Sequence, residues 1–104
     1  MINDFFITTI KYMRIDFDPK KSQKNAESRG LPFERVADFD WGSAIAEEDT
    51  RNPYPEQRFV AVGYVGERLH ILCFTPIEDG IRVISFRKAN TREVRSYEKK
   101  VTNE

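Results

Sequence analysis

Arginines dominate the residues of this chain that could do chemistry, and they gather near its end. Arg82 and Arg87 bracket an apolar run, Lys88 follows, and Arg92 and Arg95 stand one helical turn apart just beyond. A fan of guanidinium groups at the end of a strand can grip phosphate oxygens two at a time and stabilise the extra charge of a pentacovalent phosphorane. Lysine supplies a point charge or, with a lowered pKa, a proton carrier. From Arg82 to Lys100 seven bases accompany Glu93 and Glu98, a net +5, whereas from Glu34 to Glu56 seven acids accompany Arg35 and Arg51, a net −5. The whole chain is formally neutral, with 17 bases and 17 acids. That balance argues against a uniformly basic nucleic-acid binder, yet it permits a local positive potential over the last fifth of the chain. The competing account of each arginine is an ion pair with the acidic segment, which would leave an inert, solvated surface.

Other chemistries are poorly supplied. His70 is the only histidine, so no histidine pair can divide acid and base roles, and among apolar neighbours it reads as structural. The single cysteine, Cys73, can form neither an internal disulfide nor a zinc cage, and it reads as core packing. Glu47, Glu48 and Asp49 are consecutive and therefore point in different directions, which favours solvated surface over a divalent metal site. There is no phosphate-binding glycine loop, dinucleotide fingerprint, zinc spacing or nucleophile elbow. Neither a cofactor nor a metal is expected.

These residues must be positioned by a small scaffold. A chain of 104 residues makes one domain, and 39% hydrophobic with 12% aromatic content is enough for a modest core. No stretch approaches the roughly 20 apolar residues of a membrane span, and Ile2 to Ile10 lacks the basic start and small-residue cleavage site of a signal peptide. No membrane association and a cytoplasmic location are expected. Rough alternation from Phe5 to Phe17 suggests a strand. Asp18-Pro19 starts a helix that runs to Arg29 and stops at Gly30. That helix is almost wholly polar, with a stripe of Lys20, Lys21 and Lys24. A short helix over about Pro32 to Phe39 would offer Phe33, Val36, Ala37 and Phe39 to the core. Gly42 to Glu47 reads as a short strand before a polar loop from Glu48 to Pro55. Gln57 to Val65, Arg68 to Thr75 and Ile81 to Arg87 then read as an antiparallel meander, joined by Gly66-Glu67 and by Pro76 to Gly80. The last run is apolar on both faces and is expected to be central. Asn90 and Glu93 have capping-box spacing at the start of a final helix, with Val94, Tyr97 and Val101 on its buried face.

Two blocks resemble a known family. Phe17-Asp18-Pro19-Lys20-Lys21, Asn25, Arg29-Gly30-Leu31-Pro32-Phe33-Glu34, Ala37, Phe39 and Asp40 are similar to the opening of the BrnT toxins. Glu56-x-Arg58-Phe59 with Gly63 continues the likeness. Ile81-Arg82-Val83-Ile84-Ser85-x-Arg87-Lys88-Ala89-x-Thr91, ending in Tyr97-Glu98, resembles the family's closing signature and is the most specific part. The resemblance implies a small α+β, RelE-like domain: an antiparallel sheet of three to four strands, N-terminal helices and a basic C-terminal helix. It also implies a growth-arresting, translation-inhibiting endoribonuclease. Its partners would be an RNA substrate and a BrnA-like ribbon-helix-helix antitoxin, with operator DNA reached only through that antitoxin. Several positions depart from the pattern. Ser28-Arg29 replaces a Lys-His before the glycine, Phe74 replaces a histidine before Thr75, and Glu93 falls one position early, Val94 taking its place. Family members begin near Met13, so Met1 to Tyr12 is expected to be an extension or an added edge strand.

On this reading Lys21, Arg58, Arg82 and Arg87 position the scissile phosphate and stabilise attack by the RNA 2′-hydroxyl without a metal. Arg68, Lys88, Arg92 and Arg95 bind the RNA strand. The alternatives are a non-catalytic module that uses the same basic face to bind RNA or an acidic protein, and a small-molecule-binding domain with an apolar pocket.

Overall fold

A computed structural model describes residues 13–102. The expected extension or strand over Met1 to Tyr12 lies outside the described residues. Five strands form one mixed sheet: β1 (Arg14–Asp16), β2 (Ile45–Glu48), β3 (Phe59–Val65), β4 (Arg68–Ile77) and β5 (Gly80–Lys88), in the order β1-β5-β4-β3-β2. Two α-helices, α1 (Pro19–Arg29) and α2 (Thr91–Thr102), and a 3₁₀ helix (Phe33–Asp38) complete the described residues. The meander β3-β4-β5 is antiparallel as expected, and β2 extends it. The expectation of a purely antiparallel sheet of three to four strands is corrected by β1, which pairs parallel to β5. The β1 backbone passes so near Gly80 that a Cβ there would lie 1.9 Å from the Arg14 carbonyl oxygen.

Helix α1 starts and stops as its sequence dictates. Asp18 accepts from the Lys20 amide at 2.9 Å, Pro19 opens the first turn, and Gly30 ends the helix at φ 65° while donating to Ala26 O. Because the helix has almost no apolar side chain to bury, hydrogen bonds attach it instead. Ser22 Oγ accepts from the Phe33 amide at 2.8 Å and donates to Glu34 at 3.0 Å. Asn25 Nδ2 donates to Leu31 O at 2.7 Å and to Phe86 O on β5 at 2.8 Å.

The sheet carries a core on each face. On one, Leu31, Phe33, Val36 and Phe39 pack against Leu72, Val83 and Phe86. Gly63 makes room there, since a Cβ would lie 2.6 Å from the Phe39 ring. Ala37, expected in this core, is exposed. On the other face, Tyr97 of α2 joins Leu69, Ile71 and Ala89 and meets Tyr64 edge-on. Val101 reaches past this core and is 41% exposed, contrary to the expected helix face.

The strand β5 is interior to the sheet as expected, with β1 on one side and β4 on the other. Its apparent two-faced apolarity comes from a register shift: Val83 pairs with Phe74 but Ser85 with Cys73, so Ile84 is an extra residue. Ile81, Val83 and Phe86 thus share one core, and Ser85 and Arg87 face the other way. The turn is also tighter than Pro76 to Gly80 suggests, because pairing continues through Pro76↔Ile81 and Ile77↔Gly80. The β3 pairing stops at Phe74, so Pro76 has only β5 beside it and its missing N–H is tolerated.

Candidate active site

Between α2 and the sheet lies a cavity of about 420 Å³. Its floor is aliphatic: Ile45, Val60, Val62 and Ile71, with Cys73 and its cross-strand partner Ser85 beside them. Its rim is polar, formed by Arg51 of the loop before β3, Arg87 of β5, and Glu93, Ser96 and Lys100 of α2.

Arg87 is held with unusual completeness. The α2 N-terminus is a reciprocal capping box, in which Asn90 N donates to Glu93 Oε1 at 2.9 Å and Glu93 N to Asn90 Oδ1 at 2.8 Å. The same carboxylate takes the outer edge of the Arg87 guanidinium, Nη1 to Oε1 at 2.8 Å and Nη2 to Oε2 at 2.7 Å. A weaker contact from Nη1 reaches Lys88 O at 3.3 Å. This leaves the other edge, Nε–H with the second Nη2–H, without an acceptor among the described residues. Two parallel donors of that kind match two oxygens of a phosphate. The Arg87 pairing holds Glu93 at a pKa of about 2, so this carboxylate is a poor proton acceptor, while Glu93 raises that of Arg87.

The other expected residues are distributed around this centre. Arg58 lies outside the cavity lining, near enough to Cys73 that its charge opposes the rise that burial imposes on the thiol. Its guanidinium lies 4.1 Å from the Tyr54 ring centroid and 3.0 Å from Glu56. Arg82 shares the sheet face of Ser85 and Arg87 but pairs with Asp16 of β1 at 2.7 Å, outside the cavity. Lys21 is exposed on α1, four residues before the Asn25 that grips β5. Arg68 donates to Ala89 O at 2.8 Å and ties the β4 start to the α2 approach. Lys88, Arg92 and Arg95 are exposed, the last two on α2. The acidic and basic segments meet in one described ion pair, Glu47 with Lys100 at 3.5 Å.

Cys73 is half-buried in the cavity wall rather than sealed in a core. His70 is buried on the opposite face, 5.3 Å from the Phe86 ring, with Nδ1 at 2.8 Å from Arg68 O. Burial lowers its pKa, and the imidazole is structural there. Asp49, expected on solvated surface, is a buried carboxylate clasped by Arg51, and Glu47 is taken by Lys100. Sequence reasoning missed Arg51, Ser85 and Lys100 and gave Glu93 only its capping role. The Asp49-x-Arg51 spacing, and the period of two that places Ser85 on the face of Arg87, were the available signals.

Residues 17–93 match the family model described as ribonuclease toxin, BrnT, of type II toxin-antitoxin system. No curated protein and no solved structure matches the chain. Membership of that family makes RNA the substrate and an antitoxin the partner.

Proposed function

This chain belongs to the BrnT family of ribonuclease toxins, and from that premise we propose that it is a metal-independent, RelE-like endoribonuclease whose reaction is centred on the α2-side cavity. The carrying observation is the open edge of Arg87, fixed from behind by Glu93 and bordering a cavity large enough for part of an RNA strand. The attacking group is the RNA 2′-hydroxyl. Its oxygen forms a bond to phosphorus as its proton passes to solvent water, the bond to the 5′-oxygen breaks, and the leaving oxygen takes a proton from water. Arg87 holds the non-bridging oxygens and stabilises the charge that gathers on them, and Arg58 adds positive potential from outside the cavity. Positioning and charge stabilisation carry the rate, because Glu93 is a weak base and His70 lies across the sheet. Lys88, Arg92 and Arg95 guide the strand along α2, and Arg68, Arg82 and Lys21 add weaker attraction from outside the cavity.

Cleaved RNA accounts for translation inhibition and growth arrest. Neutralisation falls to a BrnA-like ribbon-helix-helix antitoxin, and operator DNA is reached through that partner, consistent with a formal net charge of +0 on the toxin itself. Expression without antitoxin is expected to arrest growth, and Arg87→Ala to relieve the arrest at equal protein level. A folded Arg87→Ala protein that remains fully toxic would remove Arg87 from the site.

A further inference from the structure

We infer that Arg51 is a second phosphate-gripping residue of this site and that Asp49 is the positioning residue that aims it; the inference rests on the reading of the cavity given above. The two arginines of the cavity rim are built alike. Arg51 gives one edge of its guanidinium to Asp49, Nε to Oδ1 and Nη2 to Oδ2, both at 2.8 Å. Apart from the neighbouring Tyr54 hydroxyl, the described residues offer no acceptor to the Nη1 hydrogens or to the second one on Nη2, so its outer edge is open to solvent where Arg87 has its inner edge open.

The burial of the pair makes the arrangement directional. The Asp49 side chain is 2% exposed, whereas that of Arg51 is 77% exposed. The carboxylate also accepts from the Arg51 amide at 3.2 Å and from the Tyr54 hydroxyl at 3.3 Å, while the Asp49 amide donates to Arg58 O at 2.7 Å. Asp49 is therefore anchored at the start of β3, and the guanidinium is the part presented to solvent. An exposed ion pair contributes little to stability, and a surface arginine pays for a fixed geometry in side-chain entropy. A buried carboxylate that fixes an exposed arginine instead lowers the entropy lost when that arginine binds an anion.

Both arginines line one cavity, beside the cross-strand pair Cys73 and Ser85. A strand of RNA laid over that pair meets Arg87 from β5 and Arg51 from the loop before β3. Two forks from separate elements can hold two oxygens of one phosphate or two successive phosphates, and either count adds a contact to the strand.

Binding of a 2′-O-methyl RNA oligonucleotide, which cannot be cut, tests this in the toxin freed of its partner. The paired variant Asp49→Asn with Arg51→Gln replaces a charged pair by a neutral one, so the loop is not left with a lone buried charge. With circular dichroism unchanged, it is expected to bind about tenfold more weakly at physiological salt. Its slope of log K against log salt should be shallower by about 0.7, one single-strand phosphate contact. Arg51→Lys keeps the charge but not the fork, so it should keep the slope and lose affinity. A folded paired variant with the parental slope and affinity would overturn the inference. Arg87→Ala separates that failure from a failure of the site: loss of slope there alone removes Arg51 only, and unchanged slopes in both remove the cavity as the RNA site.

Discussion

At the scale of single residues, the cavity is organised by carboxylates standing behind arginines. Glu93 serves two masters, capping α2 and orienting Arg87, and a sequence reader sees the first because capping depends on local spacing. The second depends on where the end of β5 meets the start of α2, which spacing alone does not give. The same holds for Arg82, whose motif neighbours suggest a phosphate grip but whose partner, Asp16, comes from a strand 66 positions away. His70 was legible as structural, and its burial yields a pH prediction. Its folded-state pKa lies below the ordinary 6.5, so below that pH the unfolded chain binds more protons than the folded one. Stability is therefore full above pH 6.5 and falls as the pH drops through the window between the unfolded and folded values. Thermal midpoints measured from pH 7.5 to 5 should decline, and His70→Gln should flatten that decline.

At the scale of elements, the capping box joins the site to the fold. Asn90→Ala removes the acceptor for the Glu93 amide and is expected to lower stability by about 1 kcal/mol in urea unfolding, while leaving the Arg87 to Glu93 pair in place. RNA cleavage should accordingly change far less than in Arg87→Ala. The limits of α1, the meander and the start of α2 were legible because proline, glycine and Asx signals act within a few residues. The parallel β1 was not, since its pairing at Gly80 to Arg82 is set by packing rather than by a turn. Nor was the extra residue Ile84: a period of two read straight through β5 assigns apolar side chains to both faces, and only the paired strand reveals the shift between Val83 and Ser85.

At the scale of the whole molecule, the expected pairing of a basic end with an acidic middle gives way to local pairing. Arg87 finds Glu93, Arg58 finds Glu56 and Arg51 finds Asp49, each within six residues in sequence. Among the described residues the exposed Arg92 and Arg95 of α2 have no carboxylate partner, which gives a neutral chain a locally cationic stretch. Of the acids once open to a metal-site reading, Asp49 and Glu47 are engaged with Arg51 and Lys100, and among the described residues no group of three or more His, Cys, Asp or Glu could hold an ion. Cleavage is thus expected to survive EDTA, and activity lost to chelation and restored by magnesium or manganese would contradict the metal-independent mechanism. Whether Arg87 holds the scissile phosphate while the RNA's own 2′-hydroxyl attacks is decided by incubating purified, antitoxin-free protein with a single-stranded RNA and identifying the new ends. The parent protein is expected to leave 2′,3′-cyclic phosphate and 5′-hydroxyl ends, and a folded Arg87→Ala to lose about a hundredfold or more in rate. Equal rates for the two proteins, or 5′-phosphate ends, would contradict this mechanism.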